Sequence, residues 1–125
     1  MMLVQRVVAP VSGAVSWTVG DERFEPVEPA EAYLAHLVAI ERSPNMVRAY
    51  ASSLRLWFEH LARRDVAWDT IGLEEVGRFV SWMRSPPDGV IVIDAGVSRL
   101  AATTVNRHLA AVFGMYDFHA RRGVR

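Results

Sequence analysis

The 125-residue sequence contains no cysteine and no lysine. The absence of cysteine excludes disulfides, thiolate metal sites and cysteine nucleophiles, and it suits a reducing compartment. No apolar run approaches the roughly 20 residues that a membrane helix needs. The N-terminus MMLVQRVVAP also lacks the apolar core and cleavage site of a signal peptide. We therefore expect a cytoplasmic protein with no membrane partner.

Charge is balanced over the whole chain but segregated along it. The formal net charge is zero, from 14 arginines against 14 acidic residues. Arginines outnumber acids five to two over residues 42–68 and five to one over 99–125, whereas acids are in excess over 1–41 and 69–98. Arginine is a better bidentate partner for phosphate and guanine than lysine. The two basic segments are therefore the candidate nucleic-acid surface, although the neutral total slightly favours a protein partner.

Four segments have apolar residues at helical spacing, and they predict helices at about 29–41, 43–64, 73–84 and 102–121. The second is the clearest, because Ser43 is a natural N-cap and Pro44 suits the first helical position. Gly123 is placed to end the fourth. The predicted inward residues are Val47, Tyr50, Leu54, Trp57, Phe58 and Leu61 in the second helix, Leu73, Val76, Phe79, Val80 and Met83 in the third, and Val105, Leu109, Val112, Phe113 and Tyr116 in the fourth.

These elements predict an all-α fold, a four-helix bundle of a single domain. Residues 1–28 alternate weakly between apolar and polar and are expected to form an extended N-terminal arm or short hairpin. Residues 29–125 form the helical domain. A long loop joins helices 3 and 4, and its VIVI stretch is a candidate for a brief extended segment.

The second and fourth helices carry small polar residues and arginines near their N-terminal ends, where free N–H groups and partial positive charge suit phosphate. Arginines there are candidates to hold phosphates, and the polar residues are candidates for limited base reading. The alternative is that both faces are the ordinary solvated side of an amphipathic bundle. The candidate DNA-binding residues are Arg42, Ser43, Asn45, Arg48, Ser52, Arg55, Thr103, Thr104, Asn106, Arg107 and Arg121.

Three segments, in this order along the chain, resemble the N-terminal core-binding domain of tyrosine recombinases. This family includes phage integrases, Xer-type resolvases and transposase-A-like recombinases. The segments are SPNMVRAYASSLRLWFEHLARRD, WDTIGLEEVGRFVSWM and AATTVNRHLAAVFGMYDFHARRG. The stretch PPDGVIVIDAGVSR is most similar to the transposase-A-like branch, and the resemblance covers about residues 29–123. The matching positions are Tyr50, Leu54, Trp57, Phe58 and Leu61 in the first segment and Thr104, Val105, Arg107, Leu109, Ala111, Val112 and Tyr116 in the last.

The resemblance implies a SAM-like bundle whose second and fourth helices lie on double-stranded DNA near the crossover site, as one half of a C-shaped clamp. In the family, a following catalytic domain supplies the other half, and the full-length proteins assemble as tetramers on paired sites. The resemblance therefore implies a nucleoid-associated DNA-binding domain of a recombinase, excised or truncated from a longer protein. The alternatives are a helical protein-interaction module without DNA binding and, third, a helix-turn-helix repressor.

The family's catalytic set of Arg, Lys, His-x-x-Arg and Tyr is not expected in this chain. The stretch HARR places His119 three residues before Arg122, a spacing found in recombinase active sites, but it lies at a helix end without the rest of the set. Tyr33, Tyr50 and Tyr116 fall on apolar stripes, which is typical of core residues rather than nucleophiles. No histidine pair has metal-ligand spacing. We predict no catalytic residue, no metal site and no cofactor, and hence no strand cleavage by this chain alone.

Overall fold

The computed structural model describes residues 2–8, 15–85 and 102–123. In chain order it contains the strands β1 (Leu3–Val8) and β2 (Val15–Gly20) and the helices α1 (Glu28–Ala39), α2 (Pro44–Arg64), α3 (Leu73–Arg84) and α4 (Ala102–Arg121). One 3-10 turn, Trp68–Thr70, lies between α2 and α3. The predicted loop between helices 3 and 4, with its VIVI stretch, lies outside the described residues.

The four predicted helices are confirmed, but the fold is not strictly all-α. β1 and β2 form a two-stranded antiparallel sheet, in which Leu3 is opposite Gly20 and Arg6 is opposite Trp17. Such a hairpin is marginal by itself. Here β2 packs against both α1 and α2 and buries Val19 completely. The hairpin alternative for the N-terminal residues is therefore the one observed, and packing on the helices stabilises it.

The start of α2 follows from its local sequence. Pro44 occupies the first turn, and the Ser43 hydroxyl accepts a hydrogen bond from the Met46 amide at 3.2 Å. The helix ends at Asp65, whose φ of 54° is left-handed. α2 contacts β1, β2, α1 and α4, and is thus the central helix. Its buried apolar side chains are Val47, Ala51, Leu54, Trp57, Phe58 and Leu61.

The hydrophobic core joins all four helices and β2. Trp57 lies at its centre, with its ring edge-on to Phe79 of α3 at 5.0 Å between centroids. Tyr116 of α4 contacts the same indole edge-on at 6.1 Å. Each of these rings buries a large apolar area and so contributes to the hydrophobic stabilisation. Within the described ranges, no helix combines the length and apolar character that crossing a membrane requires.

Two predicted inward residues are wrong. Leu73 is 87% exposed and Phe113 is 50% exposed. The buried stripe of α3 runs through Glu75 and Phe79, so Leu73, two residues earlier, is turned away by about 200°. In α4 the neighbouring residue Val112 is buried, and Phe113 is turned about 100° from it. In both cases the direction from which the neighbouring helix packs decides which apolar residues are covered.

Candidate nucleic-acid interface

Hydrogen bonds join the two basic helices where they contact each other. Ser53 Oγ of α2 lies 2.7 Å from His108 Nδ1 of α4, and the same hydroxyl donates to the Ala49 carbonyl at 3.2 Å. The Ser53 hydroxyl and His108 Nδ1 therefore form a hydrogen bond across the two helices, in which the tautomer of the imidazole decides the donor. Further along, the Trp57 indole N–H donates to the Tyr116 hydroxyl at 3.2 Å. These bonds hold α4 against the middle of α2.

A groove between α2 and α4 brings together residues from both basic segments. Of the predicted site residues, Ser52 and Arg107 meet in it. Ala49 and Ala110 are small, so they leave the groove open to close approach by a ligand. We call this surface the α2–α4 groove. Its lining residues are Ala49, Tyr50, Ser52, Ser53, Arg107, His108 and Ala110.

A second cleft lies between α1, the start of α2 and the C-terminal half of α4. Two predicted site residues, Arg42 and Arg121, line it. Tyr50 lines both this cleft and the α2–α4 groove, so the two are neighbours at that side chain. Gly114 lies at its base, and a Cβ at that position would clash with the Tyr33 hydroxyl. The structure therefore places Arg42 and Arg121 at one cleft and Arg107 at the neighbouring groove rather than at one point.

Two of the predicted arginines already have acidic partners. Arg55 Nη1 lies 3.1 Å from Glu59 Oε2, one turn along α2. Arg121 Nε lies 2.9 Å from Asp117 Oδ2 on α4. Both pairs are solvent-accessible i,i+4 pairs, which are weak. These guanidinium groups can bind phosphate only by giving up or sharing that partner.

The other three predicted arginines, Arg42, Arg48 and Arg107, have no carboxylate partner among the residues that the structure describes. All three are exposed. The Arg48 guanidinium lies over the Trp17 ring, 5.0 Å from its centroid. Unpaired, exposed guanidinium groups are free to replace the counterions of a nucleic-acid backbone.

The predicted polar residues differ in their availability. The Ser43 hydroxyl is engaged as the cap of α2. Asn45, Thr103 and Asn106 are exposed, whereas Thr104 is half-buried. Asn45, Thr103, Thr104 and Asn106 lie outside the set that lines the α2–α4 groove. Among the predicted polar residues, Ser52 lines that groove together with Arg107.

His108 is a groove residue that the sequence analysis did not select. Burial lowers its pKa, and the positive charges of Arg107 and Arg55 lower it further. The ring is therefore neutral at pH 7, and its Nδ1 is hydrogen-bonded to Ser53. The contact joins residues 55 positions apart. No local sequence signal indicates such a pairing.

A second charged cluster, at the contact of α2 with α3, was also missed. Glu75 is 6% exposed, and its Oε2 lies 2.6 Å from Arg64 Nε and 2.8 Å from His60 Nε2. Arg78 Nη1 is 3.7 Å from the other carboxylate oxygen. We call these four residues the α2–α3 cluster. Glu75 lies in the first turn of α3, and its burial depends on partners in another helix.

Titration in the α2–α3 cluster reflects burial and pairing together. Burial by itself raises the pKa of Glu75, but the hydrogen bonds from Arg64 and His60 outweigh it and leave that pKa lowered. Burial lowers the pKa of His60, and the hydrogen bond to Glu75 only partly opposes this. At neutral pH the cluster thus holds an ionised carboxylate that is satisfied by its arginines.

The tyrosine and histidine residues near the HARR stretch have structural roles. The Tyr116 hydroxyl donates to the Trp68 carbonyl at 2.6 Å, and burial raises its pKa to about 12. His119 is buried, with Nε2 2.8 Å from the Pro29 carbonyl. The Arg122 guanidinium lies over the Phe118 ring. Within the described residues, no three or more histidine and acidic side chains come together to hold a metal ion.

Comparisons with known proteins are consistent with this arrangement of helices. The family model for the phage integrase N-terminal SAM-like domain matches residues 30–123. Transposase A from transposon Tn554 of Staphylococcus aureus, in strains Mu50 and N315, is 29% identical over 123 residues. That alignment covers 98% of this chain and 34% of the transposase, so the chain spans about a third of the length of this relative. No solved structure matches the chain significantly.

Proposed function

The chain belongs to the phage integrase N-terminal SAM-like domain family, and on that premise we propose that it is the non-catalytic, DNA-binding part of a site-specific tyrosine recombinase. Its role is to clamp double-stranded DNA near the crossover site during integration or another recombination reaction. The similarity to a transposase supports a recombinase rather than a repressor. In this proposal, strand cleavage belongs to a catalytic domain that is not in this chain.

The observation that carries the proposal is the charge state of the joined surface formed by α2 and α4. Arg107 is unpaired in the groove beside Ser52, and Arg48 and Arg42 on the α2 side are also without carboxylates among the described residues. Each such guanidinium that meets a phosphate releases condensed counterions, which favours binding. The small residues of the groove allow the helix backbones to approach a duplex closely.

The proposed contacts divide into two kinds. Phosphate contacts hold the register of the protein on the duplex, and polar contacts to base edges add limited sequence preference. Ser43 supports the phosphate contacts by capping α2. Thr104 is half-buried and lies next to the exposed Thr103 in the chain. The phosphate contacts are assigned to Arg42, Arg48, Arg55, Arg107 and Arg121, and the base contacts to Asn45, Ser52, Thr103 and Asn106.

The same proposal extends to the full-length recombinase. There the domain forms one half of a clamp around DNA, and the protein assembles as a tetramer on paired sites. Such a protein is associated with the nucleoid. The acidic residues of α1, Glu28 and Glu31, face away from the duplex or toward a neighbouring protomer in this arrangement.

The test is the affinity of the chain for a labelled duplex, measured by fluorescence anisotropy between 50 and 200 mM salt. The five phosphate contacts assigned above predict a slope of log K against log salt of about −4.5, because each phosphate contributes about −0.9. Arg48→Ala and Arg107→Ala are each expected to flatten the slope by about one.

Failure to bind even at 50 mM salt, or binding that salt does not weaken, contradicts the proposal. The protein-interaction alternative then leads, with the half-exposed Phe113 of α4 as its candidate anchor.

A further inference from the structure

Arg48 on the proposed DNA surface is in contact with the N-terminal hairpin. Its guanidinium lies 5.0 Å from the centre of the Trp17 ring of β2. Trp17 is directly opposite Arg6 of β1 in the antiparallel register. Directly opposed residues project from the same face of a sheet, with Cβ atoms about 5 Å apart. Two arginines from different elements therefore flank one indole.

Charge is segregated along the hairpin. Arg6 is exposed, and neither Arg6 nor Arg48 has a carboxylate partner among the residues described here. The acids of this region lie in the turn that follows β2, where Asp21 Oδ1 accepts from the Arg23 and Glu25 amides at 2.9 and 3.1 Å. Arg6 and Trp17 share the sheet face on which Val4 and Val19 pack against the core, and Arg6 is its exposed, charged member.

The hairpin is fixed to the helices, so the position of Trp17 relative to α2 is defined. Val19 is completely buried, and its carbonyl accepts from the Val27 amide at 2.7 Å. Gly20 also forms a bridge with Pro26. Because the indole is held in place, it restricts the conformations that Arg48 can adopt. An arginine held in this way loses less entropy when it binds a phosphate.

We propose that the hairpin is part of the DNA surface, with Arg6 contacting the phosphate backbone next to the contact made by Arg48. Trp17 is a positioning residue that orients Arg48 toward the duplex. This inference rests on the proposed function and adds a strand-borne contact to those of α2 and α4. The occupant is the backbone of double-stranded DNA, since guanidinium groups without acidic partners beside an aromatic ring suit a polyanion.

The first experiment compares two arginines of the N-terminal segment. Arg6→Gln is expected to weaken duplex binding about two- to fivefold and to flatten the salt slope by about one. Arg23→Gln removes the same charge from the acidic turn and is expected to change neither quantity. Arg6 is exposed, so its substitution leaves the core intact. Circular dichroism of both variants checks that the fold is unchanged.

Arg107→Gln in the same assay separates the two proposals. If it weakens binding while Arg6→Gln behaves like Arg23→Gln, the hairpin inference is overturned and the α2–α4 surface stands. If the wild-type chain does not bind the duplex at all, both proposals fail together. If the hairpin docks on another protein instead of DNA, the first of these outcomes is expected: Arg107→Gln weakens duplex binding and Arg6→Gln does not.

The second experiment tests Trp17 through a double-mutant cycle. Trp17→Leu is expected to weaken binding severalfold when Arg48 is present and hardly at all in the Arg48→Gln background. Trp17→Phe, which keeps an aromatic face under the guanidinium, is expected to retain most of the affinity. An equal loss in both backgrounds would mean that Trp17 acts only through the stability of the hairpin, and it would overturn the positioning role.

Discussion

Arg48 and Arg64, toward the two ends of α2, differ in whether they have an acidic partner. Toward its C-terminus, Arg64 reaches the buried Glu75 at 2.6 Å, and Arg78 of α3 lies near the same carboxylate. In its N-terminal half, Arg48 is exposed and, like Arg107 on the adjoining helix, has no acidic partner in the described part of the chain. Arginine marks both regions in the sequence. The presence of an acidic partner, rather than the arginine itself, distinguishes charge that supports the fold from charge that is available to a ligand.

The helix contacts in the two regions differ in the same way. α3 is attached to α2 through an ionised carboxylate that needs its donors once it is buried. α4 is attached through bonds between neutral groups, Ser53 with His108 and Trp57 with Tyr116. The contact of α2 with α4 therefore needs no charged group from their outer faces, and the arginines there remain outside it.

The largest expected effect comes from removing the carboxylate of the α2–α3 cluster. Glu75→Ala is expected to lower the free energy of unfolding by about 2–3 kcal/mol, because it leaves His60 and Arg64 without their acceptor. Urea denaturation measures this. The matched control is Glu74→Ala, an exposed acid in the same turn, which is expected to change stability by less than about 0.5 kcal/mol. Equal effects of the two substitutions would contradict the structural role of the cluster.

Stability is expected to fall as the pH drops from 7.5 to 5, because each region contains a histidine with a lowered pKa, His60 and His108. Below the ordinary value of 6.5 the unfolded chain binds protons that the folded chain does not, so unfolding becomes easier. The loss is at most about 1.4 kcal/mol per pH unit for each ring. The pKa of Glu75 is lowered from 4.5, so its contribution is lost only at more acid pH.

Urea midpoints at pH 7.5, 6 and 5 measure this pH dependence. His108→Gln is expected to remove the part of the pH dependence that comes from the α2–α4 groove. The part that comes from His60 is expected to remain. Midpoints that stay constant or rise on acidification would contradict the assignment of neutral, buried rings in both regions.

A smaller effect is expected at the bond between α2 and α4. Ser53→Ala removes the hydrogen-bond partner of His108, whose half-buried ring can bind water instead, so the cost is about 1 kcal/mol. Ser52→Ala, the neighbouring residue, is expected to leave stability within about 0.5 kcal/mol. Urea denaturation measures the free energy of unfolding of the two variants. If Ser53→Ala lowered the free energy of unfolding as much as Glu75→Ala, the proposed difference between the α2–α4 and α2–α3 contacts would be contradicted.

The sequence was sufficient for features that depend on local chemistry. Ser43 and Pro44 mark the start of α2, and the spacing of Leu54, Trp57 and Leu61 defines its buried stripe, because capping and helical period act within a few residues. The family resemblance, confirmed over residues 30–123, also rested on such local patterns.

Features that depend on the approach of another element were not predictable. Leu73 is exposed because α3 turns a different stripe toward α2, and Glu75 is buried because partners 11 and 15 residues earlier reach it. The contact between Trp17 and Arg48 likewise joins a strand to a helix. The candidate site was therefore specified by residue type but not by pairing. The pairing of Arg64 depends on the tertiary structure, whereas the i,i+4 partners of Arg55 and Arg121 follow from helical spacing.

The most direct test compares Arg107→Gln with Arg64→Gln in the duplex-binding assay. Both remove one positive charge, the first from the α2–α4 groove and the second from the α2–α3 cluster. Under conditions where both variants are folded, Arg107→Gln is expected to flatten the salt slope by about one, and Arg64→Gln is expected to leave it unchanged. Equal flattening by the two substitutions would show that DNA responds only to total charge, and it would contradict the account.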